Sequence, residues 1–406
     1  MGNYLILFTA NYPFGKGETF IENEIFFLSK AFDKVIIISN NCKDEQTRST
    51  PENVTTERFP YEINFFETIL YLVNIFSRMF WKEINIIRTI YKRRLSVIII
   101  KTMMVSMQKS KIFGKRIKKI IDNQNFGSNS IYCYSYWAND MAITLSQLKR
   151  DLPQVIMFCR AHGWDLYFER HRSNYLPFRL NLFENLDSIF VISEHGKVYI
   201  EDMFSRKFAN VKLSRLGVNP QTLKQGLNEK FSLVSISNII PLKNLNSLVL
   251  SLSKLRFDFI WYHIGDGPQQ VELERLAKKY IPGKYRFLGY LPNSEVLNFL
   301  QKTPVALLVN ISFSEGVPVS IMEAYSFGIP VLATNVGGTA EIVSGSNGRL
   351  LSANATPEEI AQAINDFRNL SDSQKIEIRR KAFNTWNEKY NAEKNYEAFV
   401  NEIIIF

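Results

Sequence analysis

The sequence predicts an α/β protein made of two doubly wound domains in tandem. Three observations carry that expectation. Short β-branched runs alternate with helix-period segments, a polar, turn-rich stretch interrupts them mid-chain, and the same alternation restarts beyond it. The length agrees, since 406 residues correspond to two or three domains.

Residues 4–9 (YLILFT) form the first expected strand, followed by a turn-rich loop over 11–17. Ile21, Ile25, Leu28 and Phe32 then keep helical spacing, and residues 35–39 are a β-branched run, giving β-α-β. Further strands are expected at 130–134, 154–158 and 188–192. Residues 61–121 are mostly helical in pattern, with Ile69, Leu72, Val73, Phe76 and Phe80 at i, i+3, i+4, i+7 and i+11. The segment LGVNPQTLKQGLNEK is polar and lacks periodicity, so 217–230 is expected to be an interdomain linker between a domain at 1–216 and a second one at 231–385. In the second domain, strands are expected at 232–237, 261–264, 285–287, 305–309 and 330–334. The end of the chain, from 357, is helical and rich in Glu and Lys. Two such domains in tandem commonly bind a ligand in the cleft that the carboxyl ends of their strands face.

With 46% hydrophobic and 22% charged residues, disorder and collagen are excluded. The three cysteines, Cys42, Cys133 and Cys159, form no CxxC pair. A thiolate zinc site, a redox motif and a disulfide framework are therefore not expected, which fits a reducing compartment. The start, MGNYLILFTANYP, has no basic n-region and reads as a buried strand rather than a signal peptide. Ile6 stands where myristoylation needs Ser or Thr. No run of 18 uncharged apolar residues offers a membrane span.

The chemistry concentrates in 314–343, SEGVPVSIMEAYSFGIPVLATNVGGTAEIV. A strand, a loop over 311–316, a helix opened by Pro318 as its first residue and ended at Gly328, and a second strand make a βαβ unit. The helix N-terminus lies at the strand's carboxyl end, where free N–H groups favour phosphate. Glu315 and Glu323 flank it, eight positions apart. A carboxylate beside a phosphate site needs neutral partners, and sugar hydroxyls supply them. Phosphate on amides with hydroxyls on two carboxylates describes a nucleotide sugar.

This segment resembles the E-x(7)-E signature of the retaining glycosyltransferases of family four, which have the GT-B fold of two Rossmann-like domains. IGDGPQQVELERLA, FLGYLPNSEVLNFL, NVGGTAEIV and NGRLL resemble further segments of that family in order, the last two being its closing loops. The resemblance implies a nucleotide-diphosphate sugar as donor, no metal, and a glycan or lipid-linked acceptor in cell-surface polysaccharide synthesis. It also implies that a C-terminal helix at 386–406 packs back on the first domain.

Residue by residue, the resemblance implies that Glu315 holds donor-sugar hydroxyls and Glu323 the ribose. Gly316 and the N–H groups of Val319 and Ser320 meet the diphosphate or sugar, and Leu291 lies in the base-contacting loop. In SNIIPLK, Lys243 keeps the family's phosphate lysine, whereas Asn238 stands where the family commonly has Arg and brings no charge. His162, in RAHGWD, falls near the donor sugar. Arg160 and Asp165 beside it are weaker candidates for the acceptor or cleft, with Glu18. Gly15 and Gly17 belong to a first loop that lines the cleft under the phosphates; it is neither a P-loop nor GxGxxG. Catalysis is thus expected from Glu315, His162 and Lys243. No DxD or HExxH occurs, so no metal site is expected. A non-catalytic nucleotide-sugar-binding subunit is the alternative, supported by Asn238. A dehydrogenase lacks its glycine fingerprint.

The net charge of +10 is concentrated in 58–121, which holds 14 Lys/Arg and 3 Asp/Glu, that is +11. Aromatics interleave with these basic residues. No nucleic-acid motif accompanies them, and they lie in amphipathic helices, so nucleic acid is not the expected partner. An anionic membrane surface is, approached from the cytoplasm, with Phe80 and Trp81 as the aromatics left free for lipid.

Overall fold

The computed structural model describes residues 2–15, 17–40, 45–59, 72–123, 129–222 and 231–404. The chain forms two compact units: Met1–Ser214 with Tyr396–Phe406, and Arg215–Asn395. The expected linker at 217–230 falls outside the described residues from 223 onward.

Unit 1 runs β1 (Asn3–Thr9), α1 (Ile21–Ala31), β2 (Lys34–Ser39), β3 (Val54–Arg58), a 3-10 turn (Leu72–Phe76), α2 (Arg78–Thr89), α3 (Val97–Asn123), β4 (Ser130–Ser135), α4 (Asp140–Leu148), β5 (Ile156–Ala161), α5 (Arg179–Asn185), β6 (Ser188–Val191), α6 (Glu194–Phe204) and β7 (Val211–Leu213). The strands form one parallel sheet in the order β3-β2-β1-β4-β5-β6-β7. Because side chains alternate along a strand, Leu5 and Leu7 bury on one face, Ile6 and Phe8 on the other. Both faces are covered, which is why the strands read as continuous apolar runs. Phe399, Val400 and Ile403, near the chain's end, pack on the Leu5/Leu7 face.

Unit 2 runs β8 (Phe231–Ile236), α7 (Leu245–Leu252), β9 (Phe259–Ile264), α8 (Gln270–Tyr280), β10 (Tyr285–Phe287), α9 (Asn293–Lys302), β11 (Leu307–Asn310), α10 (Val319–Ser326), β12 (Val331–Thr334), α11 (Thr339–Ile342), β13 (Gly348–Leu351), α12 (Pro357–Arg368), α13 (Asp372–Lys389) and α14 (Ala392–Ile404), which passes into unit 1 at Tyr396. Its parallel order is β10-β9-β8-β11-β12-β13. Capping boxes start α12 (Thr356 with Glu359) and α13 (Ser371 with Gln374).

Four local expectations need correction. β3 and β7 were not anticipated. β3 (VTTER) is largely polar and solvent-facing at the sheet edge, and β7 has three residues. The continuous helical period through Phe80 is broken at Ser77, whose extended backbone and side chain cap α2 by accepting from Phe80 N. Pro318 is the extended residue before α10 rather than its first turn. NGRLL is no loop: Gly348–Leu351 pairs with β12 as a strand.

Candidate functional site

In unit 2 the sheet order reverses between β8 and β11, and a doubly wound sheet opens its crevice at the carboxyl ends of such strands. Two loops leave there, residues 237–243 after β8 and 311–318 after β11. They are joined backbone to backbone, Phe313 N donating to Leu242 O at 2.9 Å. Lys243 Nζ lies 2.6 Å from Glu315 Oε1. Ser312 Oγ donates to the same oxygen at 2.6 Å, and Thr334 Oγ1 holds the Ser312 carbonyl at 2.5 Å. Glu315 is buried and Lys243 half-buried, so the pair is only partly screened by water.

The loop after β12 closes on the same place. Gly338 N donates to Gly316 O at 2.8 Å. Gly337 has φ +51°, and a Cβ there would stand 1.9 Å from Glu315 O. Only glycine permits that approach. Gly337→Ala is expected to lose about 2–4 kcal/mol of stability, from the backbone strain and the clash, as measured by urea unfolding. Unchanged stability would mean the two loops are not held together here.

At the start of α10 Pro318 offers no side-chain cap, and among the described residues no group accepts from the N–H of Val319 or Ser320, the kind of helix start that suits an anion. One turn on, Glu323 is buried among Ile321, Met322 and Ala324. Its Oε1 accepts from Asn293 Nδ2 at 2.5 Å. Burial pushes its carboxyl up to about 7, against the pull of Asn293. Asn238 is exposed at the end of β8, and Leu291 is half-buried after β10. Their loops approach through Gly265, whose N donates to Gly289 O at 2.8 Å and whose Cβ would meet Ser237 O at 2.0 Å.

The candidates of unit 1 have mostly structural surroundings. Glu18 accepts from the N–H of Ala10, Asn11 and Tyr12 and from Trp137 Nε1, so both oxygens are spent holding the first loop. Gly15, at φ +60°, and Gly17, against the Asn11 side chain, lie in that loop. Arg160 is wholly buried. It pairs with Glu24 at 3.2 Å and donates to Tyr134 Oη at 2.9 Å and Ser214 O at 2.8 Å, contacts that tie it to the sheet. Asp165 accepts from Ala138 N and His162 N. Burial raises its carboxyl, but His162 and these two N–H groups outweigh that and hold it below the usual range. His162 sits against Trp137 and Tyr136, its Nδ1 3.7 Å from Asp165 Oδ2, and among the described residues neither ring nitrogen has a hydrogen-bond partner. Among the described residues, no cluster of His, Cys, Asp and Glu could hold a metal.

Sequence reasoning missed Ser312, Asn293 and Gly337. Ser312 lies three residues before Glu315, a local signal; Asn293 lies thirty before Glu323 and shows no local one.

Residues 221–383, which carry this arrangement, match the family described as glycosyl transferases group 1. The segment belongs to that family. The group 1 segment covers most of unit 2. The chain is also 27% identical over 216 residues to WcaL of Salmonella typhimurium, by name a colanic acid biosynthesis glycosyltransferase. That match covers 50% of this chain and 52% of WcaL, so the chain spans about half the length of that curated relative. Among solved structures it resembles the lipopolysaccharide outer core galactosyltransferase WaaB (TM-score 0.68, 14% identity, 99% of each chain). It also resembles HepE from Anabaena in complex with UDP-glucose (TM-score 0.66, 14% identity, 100% of each chain). These likenesses show that the two units have the GT-B fold beyond the limits of the group 1 segment.

Proposed function

We propose that the protein is a retaining glycosyltransferase that moves a sugar from a nucleotide-diphosphate donor to a hydroxyl of a glycan or lipid-linked acceptor in polysaccharide synthesis. The observation that carries this is the Lys243–Glu315–Ser312 cluster beside the uncapped start of α10, with Glu323 buried one turn on, inside a group 1 segment. Donor hydroxyls take the place of Lys243 on Glu315, ribose hydroxyls reach Glu323, and the diphosphate lies on Lys243 and the N–H groups of Val319 and Ser320. The bond from the anomeric carbon to the diphosphate breaks, a bond from that carbon to the acceptor oxygen forms on the same face, and the acceptor proton passes to the departing diphosphate. The protein's share is positioning and charge stabilisation. WcaL and WaaB by their names, and HepE by its bound UDP-glucose, support the substrate class.

Mixing the protein with a panel of nucleotide sugars and following nucleoside diphosphate release, then the anomeric configuration of the product by NMR, tests the reading. No turnover of any donor, with nucleoside diphosphate still bound, would favour the binding-subunit alternative that Asn238 supports. Asn238→Arg is the partner experiment: activity that holds or rises means position 238 faces phosphate, and a collapse means it serves another contact. Because Lys243 and the helix start supply the positive charge, turnover is expected to be unchanged by a chelator. A loss that Mg²⁺ restores would overturn metal independence. Among the described residues no helix is long and apolar enough to cross a membrane. We place the enzyme on the cytoplasmic side, where nucleotide sugars are supplied.

A further inference from the structure

The basic segment contains a surface whose composition the site does not explain. The 3-10 turn Leu72–Phe76 is tied down by Asn74, which is buried and accepts from Lys111 Nζ at 2.6 Å. Phe76, beside it, is 88% exposed and Val73 56%. α2 is held in one rotation. Phe80, Ile84 and Ile87 enter the core, and Glu83, also inward, accepts from Tyr175 Oη at 2.6 Å and Phe178 N at 3.0 Å. That rotation turns Arg78, Trp81, Lys82 and Arg88 to solvent, with Trp81 59% exposed. At the start of α3, Val97 and Ile98 are 82% and 50% exposed. Phe80, expected to be free for lipid, is buried, and Phe76 takes its place.

The charges are one-sided. Within 72–101 the only carboxylate is Glu83, and it points inward. Arg78, Lys82, Arg88, Lys92, Arg94 and Lys101 all face solvent, and among the described residues only Lys82 has a carboxylate neighbour, Glu184 at 3.3 Å. Arg93 differs, lying over the Phe168 ring at 5.3 Å.

We infer that the surface made by Phe76 and Trp81 with Arg78 and Arg88, continuous through the turn and the outer face of α2, docks on a bilayer rich in anionic lipid. Exposed aromatic and aliphatic side chains enter the boundary between headgroups and acyl chains, and the arginines and lysines meet lipid phosphates. A bilayer uses both. The binding is peripheral, reversible and weakened by salt.

The experiment is co-flotation of the full chain with phosphatidylcholine vesicles and with phosphatidylcholine–phosphatidylglycerol vesicles, at low and high salt. Two double variants accompany it. Arg78→Gln/Arg88→Gln is expected to bind the anionic vesicles about 30-fold more weakly, from about fivefold per basic residue. Phe76→Ser/Trp81→Ser is expected to bind about tenfold more weakly at either salt. Both keep the parent's circular dichroism and its release of nucleoside diphosphate from the donor in lipid-free solution, since neither pair touches Lys243, Glu315 or Glu323. Equal binding to both vesicle types, no binding to either, or parent-like binding by both variants would overturn the inference. Vesicle binding without turnover of any donor would sink the transferase reading and leave this one standing.

Discussion

Lys243→Ala is expected to lower kcat about 10²–10³-fold, with a much smaller change in donor affinity. The reason is the direction of charge flow. In the proposed reaction negative charge builds on the diphosphate as the glycosidic bond breaks, and Lys243 is the ammonium at the switch point of β8 and β11. Asn238 stands where the resemblance would put an arginine and brings no charge, so in the proposed reaction the loss falls on one side chain. Removing Lys243 also takes away its bond to Glu315, worth about 1–2 kcal/mol to stability, so the variant melts a few degrees lower while staying folded. Initial rates across donor concentrations separate kcat from KM, and calorimetry with the nucleoside diphosphate gives the affinity. Lys243→Arg, which keeps the charge, recovers part of the rate. Equal kcat in wild type and Lys243→Ala would remove the lysine from the mechanism.

The second large effect has opposite signs for stability and binding. Glu323 has an ordinary carboxyl in the unfolded chain, near 4.5, and one raised to about 7 in the folded protein. Below the unfolded value both states hold the proton and the residue costs nothing. Between 4.5 and 7 the unfolded state ionises first, so stability falls as pH rises, and above 7 a full penalty of about 3 kcal/mol remains. Glu323→Gln removes the charge, so it is expected to melt higher than wild type at about pH 8 and to match it near pH 4. The same variant should bind nucleoside diphosphate weakly, and Glu323→Ala should raise Kd about 10–100-fold by losing hydrogen bonds to a charged group. Hydroxyls that donate to Glu323 favour its ionised form, so wild-type affinity rises with pH through about 7 and the variants lose that dependence. A flat pH profile in wild type would remove the carboxylate from the contact.

How much of this was legible in the sequence depends on the range of the interactions. β4, β5 and β6 were readable because both their faces are buried, leaving unbroken apolar runs. The loop and helix from Ser314 onward were readable because Glu315, Pro318, Glu323 and Gly328 fall within one βαβ unit. Phe80 was misjudged because helical periodicity was carried across Ser77, where the backbone is extended. Arg160 and Glu18 looked like cleft residues because they follow or flank strands. Each has one partner, Glu24 for Arg160 and Trp137 for Glu18, more than a hundred residues away, and no local pattern reveals these two. The pairing of Lys243 with Glu315 spans 72 residues and follows from the topology that brings β8 beside β11.

The placement of Tyr396–Phe406 in unit 1 bears on how the chain is made. Phe399, Val400 and Ile403 complete the layer over Leu5, Leu7, Val35 and Tyr134. The part of that face that α1 leaves open is therefore covered only after residues 399–403 have been made. The residues of unit 2 up to 395 are made while that apolar patch is still open to chaperones. A fragment cut after Ser214 should keep that exposed face, and so should aggregate unless a peptide spanning 392–404 is added.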